Sequence, residues 1–125
     1  MILLDTHAFL WFLTDDSRLP ARIREKIETD KEVFVSIASF WEIAIKNGLG
    51  KLDLPAPISE MIEVCGSLQI SILPIAAAQL ERLKDLPWIH RDPFDRLLIC
   101  QALEKDLTLI TVDSNIVKYD VKTDW

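Results

Sequence analysis

The chain has 125 residues, 50% of them hydrophobic and 27% charged, and its 14 basic and 20 acidic residues leave a formal net charge of −6. A chain of this length builds one domain around one core, spanning residues 1–125. The acidic balance excludes a passive, charge-driven nucleic-acid binder, because phosphate neutralisation needs clustered Lys and Arg; it leaves open an enzyme that reaches phosphates through a metal ion.

Ile2-Leu3-Leu4 runs straight into Asp5, the pattern of a short strand over 2–5 buried on both faces. Asp5 then stands at the edge where open parallel sheets bind ligands. A helix over 7–14 is closed by Asp15-Asp16-Ser17. The stretch Ser17-Arg18-Leu19-Pro20 caps and opens a second helix over 20–29, with Ile23 and Ile27 sharing a face. Val33 to Ser36 is a second strand. A third helix begins near Ser36 or Ile37, runs through Lys46 and stops near Gly48 and Gly50. Residues 51–57, with two prolines, form a loop, and 57–66 make a helix ending at Gly66. Leu68 to Pro74 alternates apolar and polar residues as a third strand, and a helix over 76–86 ends before Pro87. His90-Arg91-Asp92-Pro93-Phe94-Asp95-Arg96 opens another helix, with Asp92 as N-cap and Pro93 in the first turn. Leu107 to Val112 is a fourth strand ending in Asp113, and 119–123 offers a weaker fifth. Strands alternating with helices imply right-handed crossovers and an α/β fold, its parallel sheet covered on both faces.

Cys65 and Cys100 sit alone in apolar surroundings and read as two buried thiols rather than a disulfide. The longest apolar runs fall far short of the ~20 residues of a membrane span, and no signal-type leader is present. The expectation is a soluble, cytoplasmic protein without a membrane partner. Of the four tryptophans, Trp11 and Trp41 are assigned to the core.

The acids carry the functional question. Asp5 and Asp113 each follow an apolar strand, and parallel strands bring their carboxyl ends to one edge; taken singly, each can equally start a turn or cap a helix. Ser39-Phe40-Trp41-Glu42 matches the capping-box pattern. A helix starting near Ser36 or Ile37 instead puts Glu42 in its second turn, beside Trp41, Ile43 and Ile45, where a buried charge needs a partner such as a metal or an arginine. Asp92 reads as a structural cap, and Asp95, third in its helix, either faces the helix amides or projects into a site. Carboxylates gathered in one place repel one another strongly unless cations lie between them. Oxygen-only ligands suit Mg²⁺ or Mn²⁺ rather than Zn²⁺, and His7 and His90, far apart and without a nearby Cys, do not suggest zinc. One or two such ions would support phosphodiester hydrolysis by metal-activated water.

Leu3-Leu4-Asp5-Thr6-His7, Ser39-x-Trp41-Glu42-Ile43-Ala44-x-Lys46, His90-Arg91-Asp92-Pro93-Phe94-Asp95-Arg96 and Thr111-x-Asp113 together resemble the PIN-domain ribonucleases, and most nearly the VapC-type toxins of type II toxin–antitoxin pairs. The resemblance spans nearly the whole chain in order. It implies a three-layer α/β/α sandwich with a four- or five-stranded parallel sheet, and Mg²⁺-dependent cleavage of RNA, with Mn²⁺ as a substitute. Carried over by position, Asp5, Glu42, Asp95 and Asp113 are the catalytic and metal-holding acids. Thr6 and Thr111 match small polar residues that support them, and Asp92 is an outer member. The resemblance also implies a cognate antitoxin, whose tail covers the groove and often inserts an arginine among the acids, and a homodimer. Candidate RNA contacts are Lys46, Lys51, Arg91 and Arg96, although Arg96 can equally pair with a carboxylate.

Two rivals are weaker on the same residues. An aspartate-nucleophile phosphatase needs a second Asp two positions after the first, where this chain has His7. A receiver-like, non-enzymatic metal-binding module needs paired acids near the end of the first strand, which this chain lacks.

Overall fold

Strands and helices alternate along the chain. β1 (Ile2–Leu4) is followed by α1 (Thr6–Leu13) and α2 (Ala21–Thr29); β2 (Val33–Ser36) by α3 (Ile37–Gly48) and α4 (Ile58–Ser67); β3 (Ile70–Leu73) by α5 (Ala77–Lys84) and α6 (Pro93–Lys105). β4 (Thr108–Ile110) leads through a 3-10 turn at Ile116–Lys118 into β5 (Thr123–Asp124). The computed structural model describes residues 1–125. The five strands form one sheet in the order β3-β2-β1-β4-β5, and all four pairings are parallel.

Successive strand side chains point to opposite faces, and the two faces bury different clusters. Ile2, Leu4, Val33 and Val35 meet Phe9, Ile23, Phe40, Ile43 and Met61 from α1 to α4. Leu3 and Leu109 meet Leu98, Ile99 and Cys100 of α6 on the other face, with Leu83 of α5 against them. This is the expected three-layer α/β/α sandwich, with five strands. It explains the unbroken apolar run of β1, whose three residues are all buried. Cys65 and Cys100 are both free and buried, and they belong to clusters on opposite faces of the sheet. No helix is long and apolar enough to cross a membrane.

Several boundaries differ from expectation. The third strand is shorter than 68–74, because α4 runs on to Ser67 and Gln69 turns the chain with φ +59°. The fifth strand is only Thr123–Asp124 rather than 119–123, since Tyr119 packs into the α6 cluster instead. Trp41 is not core: Phe40 and Ile43 take the inner face of α3, which leaves Trp41 58% exposed. Its ring meets Phe94 edge-on, with centroids 5.1 Å apart. Trp11 is half-buried against Trp125.

The order of the strands locates the crevice. From β1 the chain goes to β2 on one side, while β4 lies on the other, so β1 and β4 flank the point where the winding reverses. Ligands of open parallel sheets bind at the carboxyl ends of strands at such a point. Leu4 pairs with Ile110, which places Asp5 beside Thr111.

Candidate active site

Asp5 leaves β1 in extended conformation and caps α1, its Oδ1 accepting the Ala8 amide at 2.8 Å. Its own amide donates to the Ile110 carbonyl at 3.1 Å, tying it to β4. Thr111 lies beside Asp5 and lowers a carboxyl pKa that burial raises, and Thr111 Oγ1 accepts the Asp113 amide at 3.1 Å. Thr111 thus links the acids that end two neighbouring strands. The capping role expected of Asp5 is real, but it engages one oxygen and leaves the carboxyl at the crevice.

Glu42 reaches the same place from α3. Ser36 caps this helix by accepting the Ala38 amide at 3.1 Å, so Glu42 falls in the second turn and the capping box does not form. It is 3% exposed. Thr6 Oγ1 donates to its Oε1 at 2.6 Å, and Lys46 Nζ donates to its Oε2 at 2.6 Å. Thr6 Oγ1 also lies 3.1 Å from Ser39 Oγ; its single proton serves the carboxylate, so the Ser39 hydroxyl donates to Thr6. The partner sought for this buried charge is therefore Lys46, one helical turn on. Its hydrogen bond to Glu42 raises the ammonium pKa above the usual lysine value.

At the start of α6, Asp92 Oδ1 accepts the Phe94 amide at 2.8 Å and the Asp95 amide at 3.2 Å. Asp92 satisfies the helix end, which frees Asp95 to face the crevice. There His90, the first residue of the His90–Arg96 motif and no expected member of the site, holds two acids. Its Nε2 lies 3.2 Å from Asp95 Oδ2 and 2.9 Å from Asp113 Oδ2. Its Nδ1 accepts the Asp92 amide at 3.0 Å, so the proton of the neutral ring sits on Nε2. A metal-ligating histidine instead donates through its second nitrogen to an outer group. In this arrangement His90 is a donor that braces Asp95 against Asp113. The signal available in the sequence was its position, two residues before the cap Asp92 in the same motif.

Arg96 requires a correction. It is 3% exposed, and its guanidinium donates to the carbonyls of Leu86 at 3.0 Å, Pro87 at 2.9 Å and His90 at 3.3 Å. It meets neither a carboxylate nor the crevice, and as an RNA contact it is withdrawn. Burial beside the loop turns this cation into a clamp for the segment that carries His90. Arg91, in contrast, is exposed on the far side of that segment, and Lys51 is exposed beyond the end of α3.

Asp5, Glu42, Asp92, Asp95 and Asp113 line one cleft of about 310 Å³, with Thr6, Lys46 and His90. Burial, and next the charge of Asp92, push the Asp95 carboxyl up to about 7. Burial also raises Asp5 above the usual carboxylate range. Burial pulls Asp113 upward too, but hydrogen bonds from His90 and the Asn115 amide outweigh it and hold this acid low. Five carboxyl groups face one ammonium, that of Lys46, and the strain collects on Asp95. Hard oxygen donors converging from four segments, with excess negative charge, fit a hard divalent cation. Ligand atoms of His90, Asp95 and Asp113 lie within 4.8 Å of one another, and Asp5, Glu42 and Asp92 line the same cleft.

The PIN domain family matches residues 2–122. Ribonuclease VapC22 of Mycobacterium tuberculosis is 26% identical over 117 residues, which cover 92% of this chain and 88% of that protein. The crystal structure of VapBC2 from Rickettsia felis, bound to a DNA fragment from their promoter, shares the fold. Its TM-score is 0.72 at 14% identity, with 100% of this chain and 99% of the other covered. Matched over nearly its whole length, the chain belongs to the PIN domain family.

Proposed function

We propose that this PIN-domain chain is a Mg²⁺-dependent endoribonuclease acting as the toxin of a toxin–antitoxin pair, with Mn²⁺ able to replace Mg²⁺. The observation that carries the reading is the convergence of Asp5, Glu42, Asp95 and Asp113 on one cleft at the winding reversal. The name of the Mycobacterium tuberculosis relative, a ribonuclease, supports the substrate class, and the VapBC2 complex from Rickettsia felis supports a protein partner.

Each residue has a part. When bound, the divalent ion supplies Lewis-acid activation of water and of the scissile phosphate. Asp5 and Asp113 present carboxylates from two rigid strand ends, oriented by Thr111. Thr6 orients Glu42, and His90 fixes the separation of Asp95 and Asp113. Lys46 neutralises Glu42 and places its ammonium at the cleft, where it would attract a phosphate of the substrate. An antitoxin arginine would compete for the same carboxylates, through bidentate pairing. Exposed Ile37, Trp41, Ile45 and Leu49 on and after α3 offer an apolar surface for a homodimer.

Nothing at Asp5 favours an aspartyl nucleophile. Its carboxyl is tied to the Ala8 amide, and His7, two residues on, is exposed beside Trp11.

The test is cleavage of single-stranded RNA by purified protein in Mg²⁺. Asp5→Asn keeps the cap acceptor of α1 and so keeps the fold, and it should lower the rate by about 100-fold or more. EDTA should stop the native chain and Mn²⁺ should restore it. Full activity in Asp5→Asn, or cleavage that persists in EDTA, would refute the proposal.

A further inference from the structure

Trp88 is the most exposed large hydrophobic side chain in the molecule, at 76%. Its indole is nonetheless held in place: the Arg96 guanidinium lies 3.7 Å from the ring centroid. That guanidinium is itself buried and fixed by carbonyls on both sides of Trp88, those of Pro87 and His90. Tyr119 Oη pins the same segment, accepting the amides of Ile89 at 3.0 Å and His90 at 2.8 Å. One face of the indole is thus packed on a rigid cation and the other is left to solvent.

The surroundings are cationic in an acidic chain. A cleft of about 370 Å³ beside the ring is lined by Leu83, Lys84, Arg91, Pro93 and Arg96, without a carboxylate. Lys84 makes only an exposed pair with Glu81 at 3.0 Å, which is weak in water, and Arg91 is in no ion pair. The pinned segment has two sides. His90 turns into the acid cleft and Trp88, two residues earlier, turns into this one; two residues span at most about 7 Å.

Resting on the ribonuclease reading above, we propose that Trp88 is a stacking platform for one unpaired RNA base next to the scissile phosphate, with Arg91 and Lys84 holding the flanking phosphates. Stacking on an indole accepts any base and needs that base splayed from a helix. The substrate is then single-stranded RNA, such as a loop or an open end, and not a duplex. An immobile ring suits this use because little side-chain freedom is lost on binding. Charge argues for a nucleic acid over an acidic protein segment, since the offered contact is a planar ring between two point cations.

The experiment measures binding of a fluorescein-labelled oligoadenylate by anisotropy in Mg²⁺, in the cleavage-silent Asp5→Asn chain, against the same strand paired with oligouridylate. Adding Trp88→Ala should weaken single-strand binding by about tenfold, while Trp88→Phe, which keeps a stacking face, should stay within about threefold. Duplex affinity should be little changed. Arg91→Ala should weaken binding and make it less salt-dependent. Circular dichroism checks each fold. If the native chain cleaves RNA but Trp88→Ala binds it as tightly as its parent, the exposed ring serves a protein contact and the proposal alone is overturned. Equal losses on single strand and duplex also overturn stacking. If no RNA is bound, and the native chain cuts none, the ribonuclease reading falls with it.

Discussion

Asp95 concentrates the electrostatic strain of the cleft. Its carboxyl stands at about 7, against an ordinary 3.8, through burial and the neighbouring Asp92 charge. An acid whose pKa is higher folded than unfolded binds its proton more tightly in the folded chain. The folded state therefore loses stability as pH rises from about 4 to about 7, and the loss is complete above that window. In the absence of metal, Asp95→Asn should be more stable than the parent at pH 8, by roughly 2 kcal/mol after discounting solvent screening. The two should coincide near pH 4. Urea melts in EDTA at both pH values measure this; a gap that is equal at pH 4 and pH 8 would show that the carboxyl is not strained. At this scale the ends of short apolar runs locate Asp5 and Asp113, the Asp-Pro cap pattern locates Asp92, and the start of α3 near Ser36 puts Glu42 in the second turn. The sequence could not reveal His90 as their brace or Arg96 as a loop clamp. Both depend on a side chain turning back across a non-helical segment, where periodicity gives no direction.

Among the elements, the segment between α5 and α6 matters most, since it has no secondary structure and carries both His90 and Trp88. Its geometry rests on Arg96 and on Tyr119, whose hydroxyl takes two backbone amides and donates to the Pro87 carbonyl. Tyr119→Phe leaves the ring in the α6 cluster but strands those amides, and should cost about 2 kcal/mol in urea denaturation. It should also lower RNA cleavage, by loosening the hold of His90 on Asp95 and Asp113. An unchanged stability would show that water replaces the hydroxyl without loss. The α3 cap makes a second test. Ser36→Ala removes the acceptor for Ala38 and should cost about 1 kcal/mol, with the first turn, and not Glu42 in the second, bearing the damage. β1 and α6 were legible because a buried strand and an Asp-Pro helix start leave strong local marks. β5 was not: Thr123–Asp124 has no apolar run. It is held by its neighbours, through the bridge from the Leu109 amide to the Lys122 carbonyl and the pairing of Asp124 with Arg22 and Lys26.

On the scale of the molecule, a parallel sheet brings four segments far apart in sequence to one edge, and the cost of gathering their charges sets the function. That cost is met in part by Lys46, by the His90 brace and by the proton held on Asp95. A divalent ion would meet it in full, so Mn²⁺ should raise the stability of the native chain, by about 2.7 kcal/mol at a hundredfold excess over its Kd. The same addition should stabilise Asp5→Asn by about 1.4 kcal/mol or less, the value for a site weakened tenfold or more, as thermal melts with and without Mn²⁺ would show. The α/β class and the parallel sheet could be read from alternation alone, whereas the reversal of winding between β1 and β4, which builds the crevice, is a property of strand order that no local pattern carries. Calorimetric titration of Mn²⁺ into the native chain and into Asp5→Asn, Glu42→Gln, Asp95→Asn and Asp113→Asn tests the shared site most directly. Each substitution should weaken binding by about tenfold or more; native affinity in the four variants would contradict a common ion held by these carboxylates.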